Sequence, residues 1–212
     1  MINRRNLILG TVLGVAGIPR FGTAKVLLQP EDFSGRSFIT ILQSPSQKTI
    51  RFVQSSVFRF SFASDAALGV SHLANLREFE DRGEIYVVDL EPIEDIPDRF
   101  GDINWFVSYT TLAGIAAFET QQAHAVFVTD SLLHEIEVSG HDPVVTSDLV
   151  MDLGDRILDI SVREQPLEGF LVDEEDLPDG LEIYQEVTSE GTFDADGTPV
   201  PGNVPPWDQI QY

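Results

Sequence analysis

Apolar and polar residues alternate along the segment that follows Thr49. The phenylalanines of Val57–Phe62 recur with a period of two residues, with Arg59 and Ser61 between them. Such alternation places one set of side chains in a core and the other toward solvent, which is typical of a β-strand. We therefore predict strand structure over Thr49–Phe62, with a turn or bulge between two strands at Ser55-Ser56.

The next segment changes to the period of a helix. Spacings of four, four and three residues align one set of side chains on a single face: Leu68, His72, Leu76 and Phe79. Ser64 and Asp65 are good N-cap residues for this segment. The pattern predicts a helix from about Ala66 to Arg82. A strand at Glu84–Leu90 would then make strand, helix and strand one β-α-β crossover.

Short runs of apolar and β-branched residues predict the remaining strands. They are Phe38–Leu42, Trp105–Thr110, Ala125–Thr129, Leu133–Val138, Val144–Thr146 and Ile157–Val162. Leu112–Ala123 fits a helix or a strand equally well, because periodicity does not decide short apolar runs. The sequence thus predicts an α+β protein, a single β-rich domain of seven to nine mostly antiparallel strands with one or two helices.

The C-terminal segment, residues 164–212, holds thirteen Asp and Glu and no Lys, Arg or His. Phe170–Val172 and Leu181–Tyr184 could pair as a hairpin across a Pro-Asp-Gly turn. The rest reads as an acidic tail with too few apolar residues to fold alone. Apolar residues return at the very end, where they could dock on this domain or on a neighbour: Trp207, Ile210 and Tyr212.

Residues 1–24 contain arginines but no acidic residue. Arg4-Arg5 precedes an apolar run over Leu7–Ile18, and small residues follow near Ala24. This order is typical of a secretory signal, and the paired arginines resemble a twin-arginine signal, which implies export of a folded protein. The alternative is a retained anchoring arm, since so short a run cannot span a bilayer as a helix. We therefore divide the chain into residues 1–24, a β-rich domain at 25–163 and the acidic hairpin and tail.

The chain has 212 residues, with 35 acidic and 13 basic side chains and a net charge of −22. Nucleic acid is excluded as an expected partner, because phosphate binding requires clustered Lys and Arg. An anionic membrane would repel the acidic domain, so we expect membrane contact only through residues 1–24. The absence of cysteine excludes disulfides, thiolate nucleophiles and cysteine-ligated metals.

Three histidines lie close together in the sequence, at His124, His134 and His141. With the carboxylates around them they could bind zinc, manganese or iron, although their spacing matches no established motif. The alternative is that His134 is a buried residue of the sheet. A second candidate is a calcium site in the acidic segment, whose carboxylates could supply oxygen ligands: Asp173, Glu174, Glu175, Asp176 and Asp179.

No nucleophile elbow, phosphate loop or acid–base motif stands out from this acidic background. We expect a non-enzymatic structural or binding protein in the periplasm or outside the cell. One alternative is a structural subunit of a larger assembly, such as a virion or surface layer, with a retained N-terminal arm and a protein or homo-oligomeric partner. Another is an exported metal-dependent enzyme that uses His124, His134 and His141.

Overall fold

Eight strands join into one sheet in the computed structural model, which describes residues 32–40, 49–79, 85–113, 118–160 and 166–201. In chain order they are β1 (Asp32–Thr40), β2 (Ile50–Arg59), β3 (Ile85–Pro92), β4 (Asn104–Ala113), β5 (Phe118–Thr129), β6 (Leu132–Gly140), β7 (Leu181–Thr188) and β8 (Gly191–Asp194). Across the sheet their order is β3-β4-β5-β6-β2-β1-β7-β8, and every neighbouring pair is antiparallel. The predicted α+β class and strand number are confirmed.

Two helices, α1 (Ala63–Phe79) and α2 (Pro143–Asp159), cover opposite faces of the sheet. Successive side chains of a strand point to opposite faces, so each strand serves two cores. On β4, Trp105 and Val107 belong to the cluster that includes buried α1 residues, whereas Phe106 belongs to the cluster that includes buried α2 residues. We call the two surfaces of the sheet the α1 face and the α2 face.

The predicted helix α1 is confirmed, and it begins at Ala63 rather than Ala66. Val70 and Leu73 are buried against the sheet. Gly69 allows the helix to approach closely, because a Cβ atom at this position would lie 2.8 Å from Cδ2 of Leu133. The strands β2 and β3 that flank α1 run parallel, but β6, β5 and β4 lie between them. The connection is therefore a crossover that spans three intervening strands.

Helix α2 corrects the prediction of strands at 144–146 and 157–162, because Val144–Thr146 and Ile157–Asp159 lie in this helix. Asp142 caps its first turn, and the carboxylate accepts hydrogen bonds from the backbone N–H groups of Val144 (2.9 Å) and Val145 (3.2 Å). The buried side chains recur at helical spacing: Thr146, Val150, Leu153 and Ile157. β-branched residues favour strands, but here the cap and the helical period outweigh that preference.

Residues Leu112 and Ala113 end β4, and Phe118–Ala123 belong to β5, so the ambiguous segment contains strand on both sides of residues 114–117. The predicted turn at Ser55-Ser56 is wrong, because β2 continues through both serines. Both hydroxyl side chains are buried. Small polar residues resemble a turn in sequence, yet here they allow other segments to approach the strand closely.

The predicted hairpin between Phe170–Val172 and Leu181–Tyr184 is also wrong. Strand β7 pairs with β1 and β8, whereas residues 166–172 form a 3-10 turn and an extended stretch over the α2 face. The backbone N–H of Val172 donates to Oγ of Ser55, at 3.2 Å, instead of joining a ladder. The acidic segment therefore supplies two strands to the same sheet that the preceding residues form.

Candidate functional site

The most enclosed polar pair of the described residues joins His124 on β5 to Glu135 on β6. Nε2 of His124 lies 2.9 Å from Oε1 of Glu135, and the two side chains are 0% and 7% exposed. Both point toward the α1 face, where the Trp105 ring meets the His124 ring edge to face at 5.2 Å. A buried carboxylate requires such a partner, because its desolvation is otherwise costly.

A second polar group extends this pair along the α1 face. The side-chain amide of Gln122 donates to Oγ1 of Thr111 (3.3 Å) and to Oγ of Ser139 (3.2 Å). Within the described residues, neither Oε1 of Gln122 nor Nδ1 of His124 has a hydrogen-bond partner. The Gln122 amide, its two hydroxyl partners and the His124 imidazole thus form a polar strip among the apolar side chains of the α1 face. Residue spacing in the sequence did not reveal this strip.

His134 occupies the opposite, α2 face. Its ring stacks on Phe127 at 5.0 Å and lies 6.3 Å from the ring of Phe170, and Nε2 is 2.7 Å from Oγ1 of Thr129. Burial lowers the pKa of His134 from 6.5 to about 3, because the charged imidazolium would lose its hydration. His134 is therefore neutral near pH 7 and is a core residue of the sheet.

The three candidate histidines do not meet. His124 and His134 face opposite sides of the sheet, and His141 is exposed just before α2. In the part of the chain that the structure describes, no three His, Cys, Asp or Glu side chains come together to hold a metal ion. One of these histidines, His124, contacts a carboxylate, that of Glu135.

The candidate calcium ligands are arranged as ion-pair and hydrogen-bond partners. Asp173 bonds Nη1 of Arg36, and Asp176 bonds Nη1 of Arg156. Oε1 of Glu174 accepts the backbone N–H of Ile183 at 3.0 Å. Asp176 is half-buried, and the other four carboxylates of the set are exposed: Asp173, Glu174, Glu175 and Asp179.

The remaining candidates lie outside the described residues. They are the export residues Arg4 and Arg5 and the docking residues Trp207, Ile210 and Tyr212. Among the helices that the structure describes, neither is long and apolar enough to cross a membrane.

No protein-family model and no curated protein matches the chain. Among solved structures, the extracellular domain of PknH from Mycobacterium tuberculosis gives a TM-score of 0.32 at 11% identity, covering 50% of this chain and 56% of that domain. PA94 from Pseudomonas aeruginosa, a protein of unknown function, gives a TM-score of 0.31 at 9% identity, covering 70% of this chain and 90% of that one. At these TM-scores neither protein carries an argument about fold or function.

Proposed function

We propose that the chain is an exported, non-enzymatic structural or binding protein that acts outside the cytoplasm. The supporting observation is the enclosure of the His124–Glu135 pair and of His134. His124 and Glu135 bond each other at 0% and 7% exposure, and His134 is buried on the other face. A substrate could reach His124 and Glu135 only if the elements packed on the α1 face moved away. It could reach His134 only if residues 166–172 left the α2 face. Such groups suit a structural role in a scaffold whose outer surface does the binding.

The described surface offers few apolar contact points for a partner. Val144, in the first turn of α2, is 65% exposed, Phe62 is 66% exposed and Tyr184 is 57% exposed. Val145, beside Val144, is 38% exposed. Val144, Phe62 and Tyr184 lie on or beside different elements, so each is a place to attach a photo-crosslinker. Adducts at one position and not at the other two would locate a binding surface.

Export is tested by the intact mass of the protein from its native source. We expect a chain that starts near Lys25 in the periplasmic or extracellular fraction. Changing Arg4 and Arg5 together to lysine should keep the precursor in the cytoplasm, since the resemblance to a twin-arginine signal rests on this pair. Arg20→Lys is the matched control in the same segment. A chain that begins at Met1 would contradict cleavage, and unaltered export of the double variant would contradict the twin-arginine route.

A structural subunit with a retained arm is the second candidate, and one observation favours it. The backbone N–H of Ser189, at the end of β7, donates to the carbonyl of Phe33, at the start of β1. The N–H of Val200 donates to the carbonyl of Thr192, on the neighbouring β8. Residues 32 and 201 therefore lie at the same end of the sheet, which supports a neighbouring subunit that contacts the protein at that end.

Sedimentation separates the two candidates. An assembly subunit should associate at micromolar concentration in at least one of two conditions, low salt and high salt. High salt is included because it screens the repulsion between copies that each carry a net charge of −22. A monomer under both conditions would count against the assembly subunit and leave the binding protein as the working proposal.

A further inference from the structure

An acidic strap, residues 173–180, crosses the molecule between α2 and β7. Its eight residues include five carboxylates and no basic residue. Its single 3-10 turn, Glu174–Asp176, has no buried residue, and Leu177 is its one partly buried apolar contact. This contrasts with the preceding 3-10 turn, where Leu167 and Phe170 are buried. Apolar burial therefore contributes little to holding the strap in place.

Two arginines fasten the strap to separate parts of the fold. Arg36 on β1 bonds Asp173 through Nη1 and Glu186 on β7 through Nε, the latter at 2.8 Å. Arg156 on α2 bonds Asp176. The Arg36 side chain is 17% exposed and the Arg156 side chain is 52% exposed. The strap thus links the sheet to α2 through ionic contacts.

Two electrostatic effects of opposite sign act on the strap. The arginine contacts join groups in direct contact, a separation far below the screening length. Salt therefore weakens them less than it weakens interactions over longer distances, although Asp173 is 69% exposed and Arg156 is 52% exposed. The repulsion between the strap and the other acidic residues of this protein, whose total net charge is −22, acts over longer distances and is screened strongly. The screening length falls from about 30 Å at 0.01 M salt to about 8 Å at 0.15 M. Repulsion therefore weakens more than the ion pairs when salt is added.

We propose that the acidic strap is an ionic-strength-sensitive clasp, which opens locally at low salt and closes over the α2 face as salt rises. Opening releases Leu177 from its cluster and separates Glu174 from the backbone N–H of Ile183. It also breaks the link between β1 and the end of α2. The body of the sheet stays folded, because none of the strap's residues is among the fully buried residues of the core.

Amide hydrogen exchange of the full chain tests the clasp. The reporters are Leu177, whose N–H bonds the Glu174 carbonyl, and Ile183, whose N–H bonds the Glu174 side chain. We expect both to exchange roughly tenfold faster in about 0.01 M than in about 0.5 M sodium chloride, as local opening becomes more frequent. Ala125 and Ile136, paired in the centre of the sheet, are the internal reference and should not change.

Arg36→Gln removes two of the ionic contacts, so exchange at both reporters should accelerate further at every salt concentration. Arg99→Gln is the matched control, since Arg99 also bonds two carboxylates, Asp155 and Asp159, but none on the strap. Slower reporter exchange at low salt would show that the ion pairs dominate and would overturn the proposal. Equal acceleration at the sheet reference would also overturn it, by showing unfolding of the whole domain. The wild-type salt series decides the matter even where a variant fails to fold.

Discussion

Replacing His134 with phenylalanine should make the protein less sensitive to acid. In the folded state burial holds the pKa of His134 at about 3, against 6.5 for an unperturbed histidine. Between these values the unfolded chain binds a proton at this residue that the folded chain does not. The contribution of His134 to stability is therefore complete above pH 6.5 and is lost as the pH falls toward 3.

The size of the effect follows from the pKa difference. Each pH unit within this window lowers the free energy of unfolding by about 1.4 kcal/mol, so a fall from pH 6.5 to pH 5 removes about 2 kcal/mol. The phenylalanine variant keeps a ring between Phe127 and Phe170 but loses the contact with Thr129. That loss lowers stability by about 1 kcal/mol at every pH and does not alter the slope.

Urea unfolding between pH 7.5 and pH 4.5, monitored by circular dichroism, measures two contributions. One is the pH-dependent effect of protonation, and the other is the pH-independent loss of the Thr129 contact. The difference in unfolding free energy between wild type and His134→Phe should shrink and then reverse sign as the pH falls. His141→Gln, which removes an exposed histidine, controls for the loss of one imidazole. Parallel curves for wild type and His134→Phe would refute the reasoning, because they would mean that His134 titrates alike in the folded and unfolded chains.

Three stability predictions test local features of the fold, each by thermal or urea unfolding. Gly140→Ala should destabilise by about 3 kcal/mol or more, since its Cβ atom would overlap the backbone carbonyl of Thr49; an unchanged midpoint would contradict this close approach. Asp142→Ala should lose about 1 kcal/mol with the α2 cap, and Asp142→Asn should restore most of it. Asp130 has φ 53°, so Asp130→Gly should be neutral or stabilise by up to about 1 kcal/mol, whereas Asp130→Val should destabilise; the reverse order would refute the assigned backbone.

The fold class could be predicted because some of the longer helices and strands show a clear hydrophobic period in the sequence. The spacing from Leu68 to Phe79 matches helix α1 in type. The alternation from Val57 begins within β2, but the strand ends at Arg59, and Phe62, which was predicted to continue it, is 66% exposed. Helix α2 was missed because valines and isoleucines at its ends favour strands. The Asp142-Pro143 pair before it was the available signal, since Asp is a favoured N-cap and Pro suits the first helical position.

The arrangement of the histidines depends on strand register, which residue spacing does not show. His124 and His134 are ten positions apart and would share a face of one continuous strand. A turn at Asp130-Ser131 instead folds the segment so that Phe127 pairs with His134, and His124 pairs with Glu137. Paired residues share a face, so an even-numbered residue on β5 faces the same way as an odd-numbered one on β6. The partners of Arg36, on distant β7 and the strap, were likewise invisible in sequence.

The position of β1 has a consequence for synthesis. β1 is an interior strand, and one of its neighbours, β7, comes after β2 to β6 in chain order, with Ser34 opposite Thr188. During translation one edge of β1 stays unpaired until residues 181–188 have left the ribosome. An open strand edge is a template for aggregation, so the nascent chain carries this hazard while β2 to β6 and both helices are being synthesised. A messenger cut short before β7 would yield a product that keeps the open edge permanently, and the cell would have to shield it or degrade it.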